Sequence, residues 1–315
     1  MTSVMFLVDI LFGLYLMVVL LRLWLQLAQA DFYNPFSQFI VKATHPIVGP
    51  MRRIIPSMGR LDTATLILAL LVAGLKLFLG SSTGNMLVDD PEVIERIFSN
   101  TDMVISVHCE DEATIRENTK FYTDKYGDDI PVKFHPKIRS EEACYLSSSR
   151  AIELAKKTGA RLHVFHLSTA KETHLFSNKL PLKDKKITAE VCVHHLWFSD
   201  EDYNEKGTRI KWNPAVKTKA DRDGLWNALL DDRIDVIATD HAPHTIEEKN
   251  NSYTKAPSGG PLVQHALVAM FEAHHQGKIS VEKLVQKMCH NPAILFQVEK
   301  RGFIKEGYYA DLVII

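Results

Sequence analysis

Val236-Ile-Ala-Thr-Asp-His-Ala-Pro-His244 decides how this chain is read. Apolar and small residues run into Asp240, and His241 and His244 follow at short spacing. A buried strand that ends this way delivers a carboxylate and two imidazoles to one rim of a sheet. In a parallel barrel that rim, at the carboxyl ends of the strands, is where active sites are built. The set suits a hydrolytic metal site, with Asp240 as ligand and base and an outlying His on an anionic substrate. A plain strand followed by a polar loop is the alternative, and the other strand ends decide between them.

Working outward, Met103-Val-Ile-Ser-Val-His108 and Leu162-His-Val-Phe-His166 each place an imidazole where an apolar run stops. A lone His there is ordinarily structural. Two in successive βα units, with Asp240 at a third, reverse that reading. Imidazole and carboxylate are ordinary ligands of a hydrolytic Zn2+, which lowers the pKa of its water to about 7. Lys76, in Leu75-Lys-Leu-Phe-Leu-Gly80, is the odd member. On an apolar strand a lysine is a liability; carboxylated on its amine, it becomes a carboxylate that can bridge two metals.

The chain between these points alternates short apolar runs with longer amphipathic stretches, the pattern of βα units. Strands are expected at 103–107, 161–165, 186–191 and 234–238. Helices are expected at 141–157, 219–230 and 262–275, and Thr158-Gly159 ends the first of them. Gly80-Ser-Ser-Thr-Gly-Asn85 reads as a turn-rich loop. The net charge of -1 over 315 residues argues for no nucleic-acid partner. Cys109, Cys144, Cys192 and Cys289 show no metal-type or paired spacing, which fits reduced thiols.

The first quarter differs in character. Residues 4 to 21 hold one charge, Asp9, and are at the lower end of what spans a bilayer. No basic segment precedes them, which argues against a signal peptide. Arg22, Lys42, Arg52, Arg53 and Arg60 then face only Asp31, and four prolines break the stretch. A second apolar run, 63–79, is interrupted only by Gly74 and Lys76. Membrane insertion of both runs is expected; buried core helices are the alternative.

Residues 1–75 resemble one repeat of the YggT family of small bacterial integral membrane proteins. The match is carried by Leu20-Leu-Arg-Leu-Trp-Leu-Gln26, Ala30-Asp-Phe-Tyr-Asn-Pro-Phe-Ser-Gln-Phe39, Pro50-Met-Arg-Arg-Ile-Ile-Pro56 and Leu61-Asp-Thr-Ala64. It implies a membrane segment and no enzymatic chemistry.

Residues 76–315 resemble dihydroorotase, a cyclic amidohydrolase of the metal-dependent TIM-barrel superfamily. The motifs are Lys76-Leu-Phe-Leu-Gly-Ser-Ser-Thr-Gly-Asn-Met86, Val107-His-Cys-Glu-Asp111, His163-Val-Phe-His-Leu-Ser-Thr169, Trp212-Asn-Pro214 and Thr239-Asp-His-Ala-Pro-His244. The resemblance implies one or two Zn2+ ions, with carboxylated Lys76 as the bridge, His108 and His166 as ligands, and Asp240 as ligand and general base. It implies that Asn213 and His244 hold the substrate, with Gly259, Gly260 and Pro261 offering backbone groups to a pyrimidine ring. The implied reaction interconverts dihydroorotate and N-carbamoyl-aspartate in pyrimidine biosynthesis. Asn291-Pro-Ala293 looks like the superfamily's closing helix, and Gly307-Tyr-Tyr-Ala-Asp-Leu-Val313 like the return into a small β-domain.

The departures matter as much. Such barrels carry a His-x-His pair on their first strand, and none of the 14 histidines here forms one. The expected fold is therefore an α/β partial TIM barrel lacking its first three strands, preceded by an α-helical membrane hairpin. An open edge of that kind seeks a partner, so a homo-oligomer is expected, and turnover should be impaired. The basic loop between the apolar runs is expected on the cytoplasmic side. If both runs span, the hydrolase part emerges outside, where pyrimidine synthesis is misplaced; if 63–79 instead supplies a strand, Lys76 can serve the metal. A YggT-type membrane protein with a non-functional appendage, or a hydantoinase or allantoinase, are the alternatives in function.

Overall fold

The structure, a computed structural model, describes residues 18–19, 38–44, 48, 75–79 and 91–314. The chain divides into two compact units, Met1–Lys76 and Leu77–Ile315. In the first, residues 38–44 are helical, and the Thr44 hydroxyl donates to the Ile40 carbonyl one turn back at 2.8 Å. Val19, Ile40 and Val48 are buried. The spans expected at 4–21 and 63–79 fall almost wholly outside the described residues, as does the loop at 80–85. No helix among the described residues is long and apolar enough to cross a membrane. The far end of the second apolar run, Leu75–Phe78, is a strand, β1. At Lys76 the chain takes the extended alternative rather than a helix.

The second unit is built on a sheet of order β1-β2-β3-β4-β5. Its further strands are β2 (Val104–His108), β3 (Arg161–Val164), β4 (Ile187–Cys192) and β5 (Val236–Ala238). From β2 to β5 they run parallel, in a register that sets Val107 beside Val164, Leu162 beside Ile187 and Glu190 beside Val236. Strands covered on both faces read as continuous apolar runs. The Val-Ile-Ser-Val-His sequence of β2 follows that rule, and all five residues are buried. Ile105 and Leu162 are sealed from solvent completely, which stabilises by about 1.5–3 kcal/mol each.

Parallel neighbours need crossovers, and helices supply them. They include α1 (Pro91–Ser99), α2 (Glu112–Tyr126), α3 (Glu141–Thr158), α4 (Val193–Trp197), α5 (Lys219–Leu230) and α6 (Ala266–His275). Local chemistry sets their ends. The Ser140 side chain accepts from the Ala143 amide at the start of α3, and Gly159, at φ 75°, takes the left-handed conformation that closes it. A capping box between Thr218 and Asp221 starts α5. Both helices appear within a residue of expectation.

Two expectations need correction. Helix α6 starts at Ala266 rather than at 262, because the His241 ring accepts the Leu262 and Val263 amides at 3.0 and 3.1 Å. Those amides are thereby tied to the end of β5 instead of opening a helix. Residues 307–313 form no strand; Tyr309 bonds to the Lys300 carbonyl at 3.0 Å, and Arg301 pairs with Asp311 within the same loop. The segment satisfies these polar groups locally. The helix expected at Asn291-Pro-Ala293 is present as Asn291–Leu295. The Asn291 side chain donates to the Asp235 carbonyl at 2.6 Å and ties that helix beneath β5.

Candidate active site

His108 closes β2, and His166 lies two residues beyond β3. Both are buried, with Nδ1 of His108 2.9 Å from Nε2 of His166 and the rings edge to face. Glu110, fully buried, sets one carboxylate oxygen 3.1 Å from Nε2 of His108 and receives the Arg139 guanidinium on the same oxygen. Burial alone would raise the Glu110 carboxyl, but Arg139 and the His108 bond outweigh it and hold it well below the usual range. A carboxylate beside Nε2 favours the tautomer that carries its proton there, the arrangement that would leave Nδ1 to ligate. A carboxylate behind a histidine in this way is the usual support of a metal ligand.

His166 has φ 37° and Asp240 has φ 44°. Both are non-glycine residues in the left-handed region, which costs of order 1–3 kcal/mol and is concentrated at functional sites. Asp240 follows β5 and is half-buried. It does not join the His108–His166 pair in a three-ligand group: the one set among the described residues whose donor atoms all lie within 4.8 Å is Cys192, His194 and His195. Cys192, whose spacing in the sequence carries no metal pattern, lies with two histidines in this set.

The expected substrate-holding residues meet through one serine. Ser258 donates its hydroxyl to the Asn213 side-chain oxygen at 3.1 Å, and its carbonyl accepts from Nε2 of His244 at 3.1 Å. Nδ1 of His244 faces Glu248 at 3.8 Å. The loop after Ser258 passes very close to its surroundings. A Cβ on Gly259, whose φ is 129°, would stand 2.5 Å from the Ala242 carbonyl oxygen, and one on Gly260 would run into the Trp212 ring. The Gly259 amide donates to the Lys211 carbonyl at 2.9 Å, and the Gly260 carbonyl accepts from the Ala242 amide at 3.2 Å. Pro261 stands exposed beyond them.

Two lysines brace this loop. Lys249 is buried and donates to the carbonyls of Lys211, Pro257 and Gly259 at 3.0, 2.9 and 2.9 Å. Lys211 donates to those of Tyr253 and Ala256, each at 2.7 Å. Burial lowers both ammonium groups to about 8. Sequence reading missed the lysines and Glu110, although a glutamate two places after a strand-end histidine was a signal. Lys76 is exposed, as the last residue of the first unit.

Comparison with known proteins agrees with the motifs. The model of the CCB3/YggT family matches residues 1–83, and that of the Amidohydrolase family matches residues 89–315. A dihydroorotase of Halobacterium salinarum is 34% identical over 260 residues, which cover 82% of this chain and 58% of the relative. One of Carboxydothermus hydrogenoformans is 40% identical over 217 residues, covering 68% and 49%. Among solved structures, an L-hydantoinase (dihydropyrimidinase) of Arthrobacter aurescens superposes with TM-score 0.69 at 26% identity, covering 76% of this chain and 54% of that one. A dihydroorotase of Saccharomyces cerevisiae shares the fold at TM-score 0.58 and 16% identity. The chain thus spans about half the length of the curated relatives it matches. With its parallel sheet, its strand-end histidines and a match over most of its length, the chain belongs to the amidohydrolase family.

Proposed function

We propose that residues 76–315 act on a cyclic amide as a dihydroorotase does, opening dihydroorotate with water to N-carbamoyl-aspartate or closing it in reverse. The observation that carries this is the buried His108–His166 pair with Glu110 behind it, at the active rim of a parallel sheet. The donor set fits a divalent cation such as Zn2+: a lone pair on His108 Nδ1, a second imidazole beside it, and a carboxylate fixing the tautomer. In this proposal His108 and His166 are ligands, Asp240 is a ligand and the general base, and carboxylated Lys76 belongs to the set on the strength of the resemblance alone. The cation, when bound, supplies Lewis acidity to the carbonyl and acidity to water. Asp240 takes the proton from the attacking water and passes it to the amide nitrogen as the C–N bond breaks. Asn213 and His244 hold the substrate, and the Gly259-Gly260-Pro261 turn shapes the place of its ring.

Residues 1–75 are proposed as a separate membrane-associating segment, on the apolar run at 4–21 and the CCB3/YggT match. A homo-oligomer that covers an open sheet edge remains part of the proposal.

The test uses the full-length chain loaded with Zn2+. Dihydroorotate should bind and be turned over slowly, with the rate lost in Asp240→Asn and binding retained. Absence of both binding and turnover would reject the proposal, and faster turnover of hydantoin than of dihydroorotate would replace it with a hydantoinase.

A further inference from the structure

We propose that Cys192, His194 and His195 form a second binding site for a borderline-soft divalent cation such as Zn2+, beside the His108–His166 pair and independent of it. One donor atom from each lies within 4.8 Å of the other two, and all three residues are buried. Cys192 ends β4, and the histidines occupy the opening turn of α4. The backbone thus turns from strand to helix inside the cluster, which lets residues two and three apart in sequence face one point.

The polar atoms of the cluster are the second observation. Neither ring nitrogen of His194 has a hydrogen-bond partner, and neither does Nδ1 of His195. Buried ring nitrogens are nearly always satisfied, so three together in one place signal a missing partner. His195 is already set as a ligand: Nε2–H donates to the Pro214 carbonyl at 3.1 Å, leaving the lone pair on Nδ1. That outer bond to a backbone carbonyl is how ligating histidines are ordinarily oriented. The His194 ring is held in place by stacking on Trp212, with centroids 4.4 Å apart and planes 11° from parallel. Neutral imidazole is the form that ligates.

Chemistry selects the cation. A sulfur and two imidazole nitrogens favour Zn2+ or Co2+ over Mg2+ or Ca2+, which take oxygen. Three protein ligands leave a fourth position for water or a small molecule. The site requires no turnover of any substrate.

Cobalt distinguishes the sites, because only thiolate ligation produces sulfur-to-cobalt charge-transfer absorption. The full-length chain, stripped of metal with a chelator, is titrated with Co2+. The expected result is that absorption, displaced by Zn2+, lost in Cys192→Ser, and retained in His108→Asn and Cys289→Ser. His194→Ala and His195→Ala should each weaken cobalt binding about 10-fold or more. A wild-type chain that binds cobalt without thiolate absorption, or not at all, overturns the proposal, and so does absorption that survives in Cys192→Ser. Should Cys192→Ser fail to fold, X-ray absorption of the zinc-loaded wild type decides, one sulfur in the coordination shell supporting the site and none rejecting it. Failure of the hydrolase proposal would appear instead in dihydroorotate binding, which this titration does not read.

Discussion

Nδ1 of His108 and Nε2 of His166 face one another at 2.9 Å although 58 residues separate them in the chain. The register of β2 on β3 brings them close, since Val107 sits beside Val164 and the Phe165 amide bonds to the Val107 carbonyl at 3.0 Å. His166 itself lies in the left-handed region, two residues beyond β3, with its ring edge to face with that of His108. Glu110 closes the far side of His108, so the pair is held from three directions.

If this pair holds a cation, its removal should be visible without any assay of turnover. His108→Asn and His166→Asn should each weaken Zn2+ binding at the pair about 10–100-fold, the size of loss that even a supporting partner produces. Competition against a chromophoric chelator in a Cys192→Ser background reads this. Unchanged affinity in both variants would remove the pair from the metal proposal.

Lys249→Met should loosen the loop beneath the expected substrate site. The ammonium group satisfies three buried carbonyls, and removing it leaves them without their donor. A loss of about 2–4 kcal/mol is expected from denaturant unfolding, with faster amide exchange around 257–260. A stable variant with unchanged exchange would show that the lysine is not what fixes the loop.

Gly259→Ala is predicted to be costly for a different reason. Its φ of 129° is poorly accessible to alanine, and the added carbon would meet the Ala242 carbonyl at 2.5 Å. Destabilisation of about 1–3 kcal/mol should appear in urea melts. The same change at Gly277, where a Cβ would meet nothing within 4 Å but φ is 71°, isolates the backbone part of that cost.

Acid should weaken the fold through His135. Its ring lies between the Tyr253 hydroxyl at 2.9 Å and the Trp212 carbonyl at 2.6 Å, and burial, then the nearby Arg139, holds it well below its usual value. It stays neutral when folded, whereas in the unfolded chain it takes a proton below about pH 6.5. The unfolded state therefore binds the extra proton, so stability is present above that pH and is lost as pH falls through it. The slope contributed is up to about 1.4 kcal/mol per pH unit. Between pH 6.5 and 5 the wild type should lose about one proton's worth of slope more than His135→Asn; equal slopes would mean the ring titrates normally.

Much of this was legible in the sequence, for reasons that are local. Gly159 marks the end of α3, and the apolar runs at 103–107 and 186–191 mark buried strands, because caps and periodicity act over a few residues; the caps at Ser140 and Thr218 became evident only in the structure. His108, His166 and Asp240 were recognisable as candidates because each follows such a run. Gly259 and Gly260 were legible only as part of a motif; that they are needed for the approach of Ala242 and Trp212 was not.

What the sequence alone determined is which residues end strands and which chemistry they carry. What only the tertiary structure decided is who meets whom. The β2–β3 register brings His166 to His108, and the turn from β4 into α4 sets Cys192 with His194 and His195. Ser258 joins Asn213 to His244, and Lys249 gathers three carbonyls from two loops. The physical reason is that periodicity and capping are written within a few residues, whereas register, strand order and the reach of a side chain across loops arise only once distant segments are packed together.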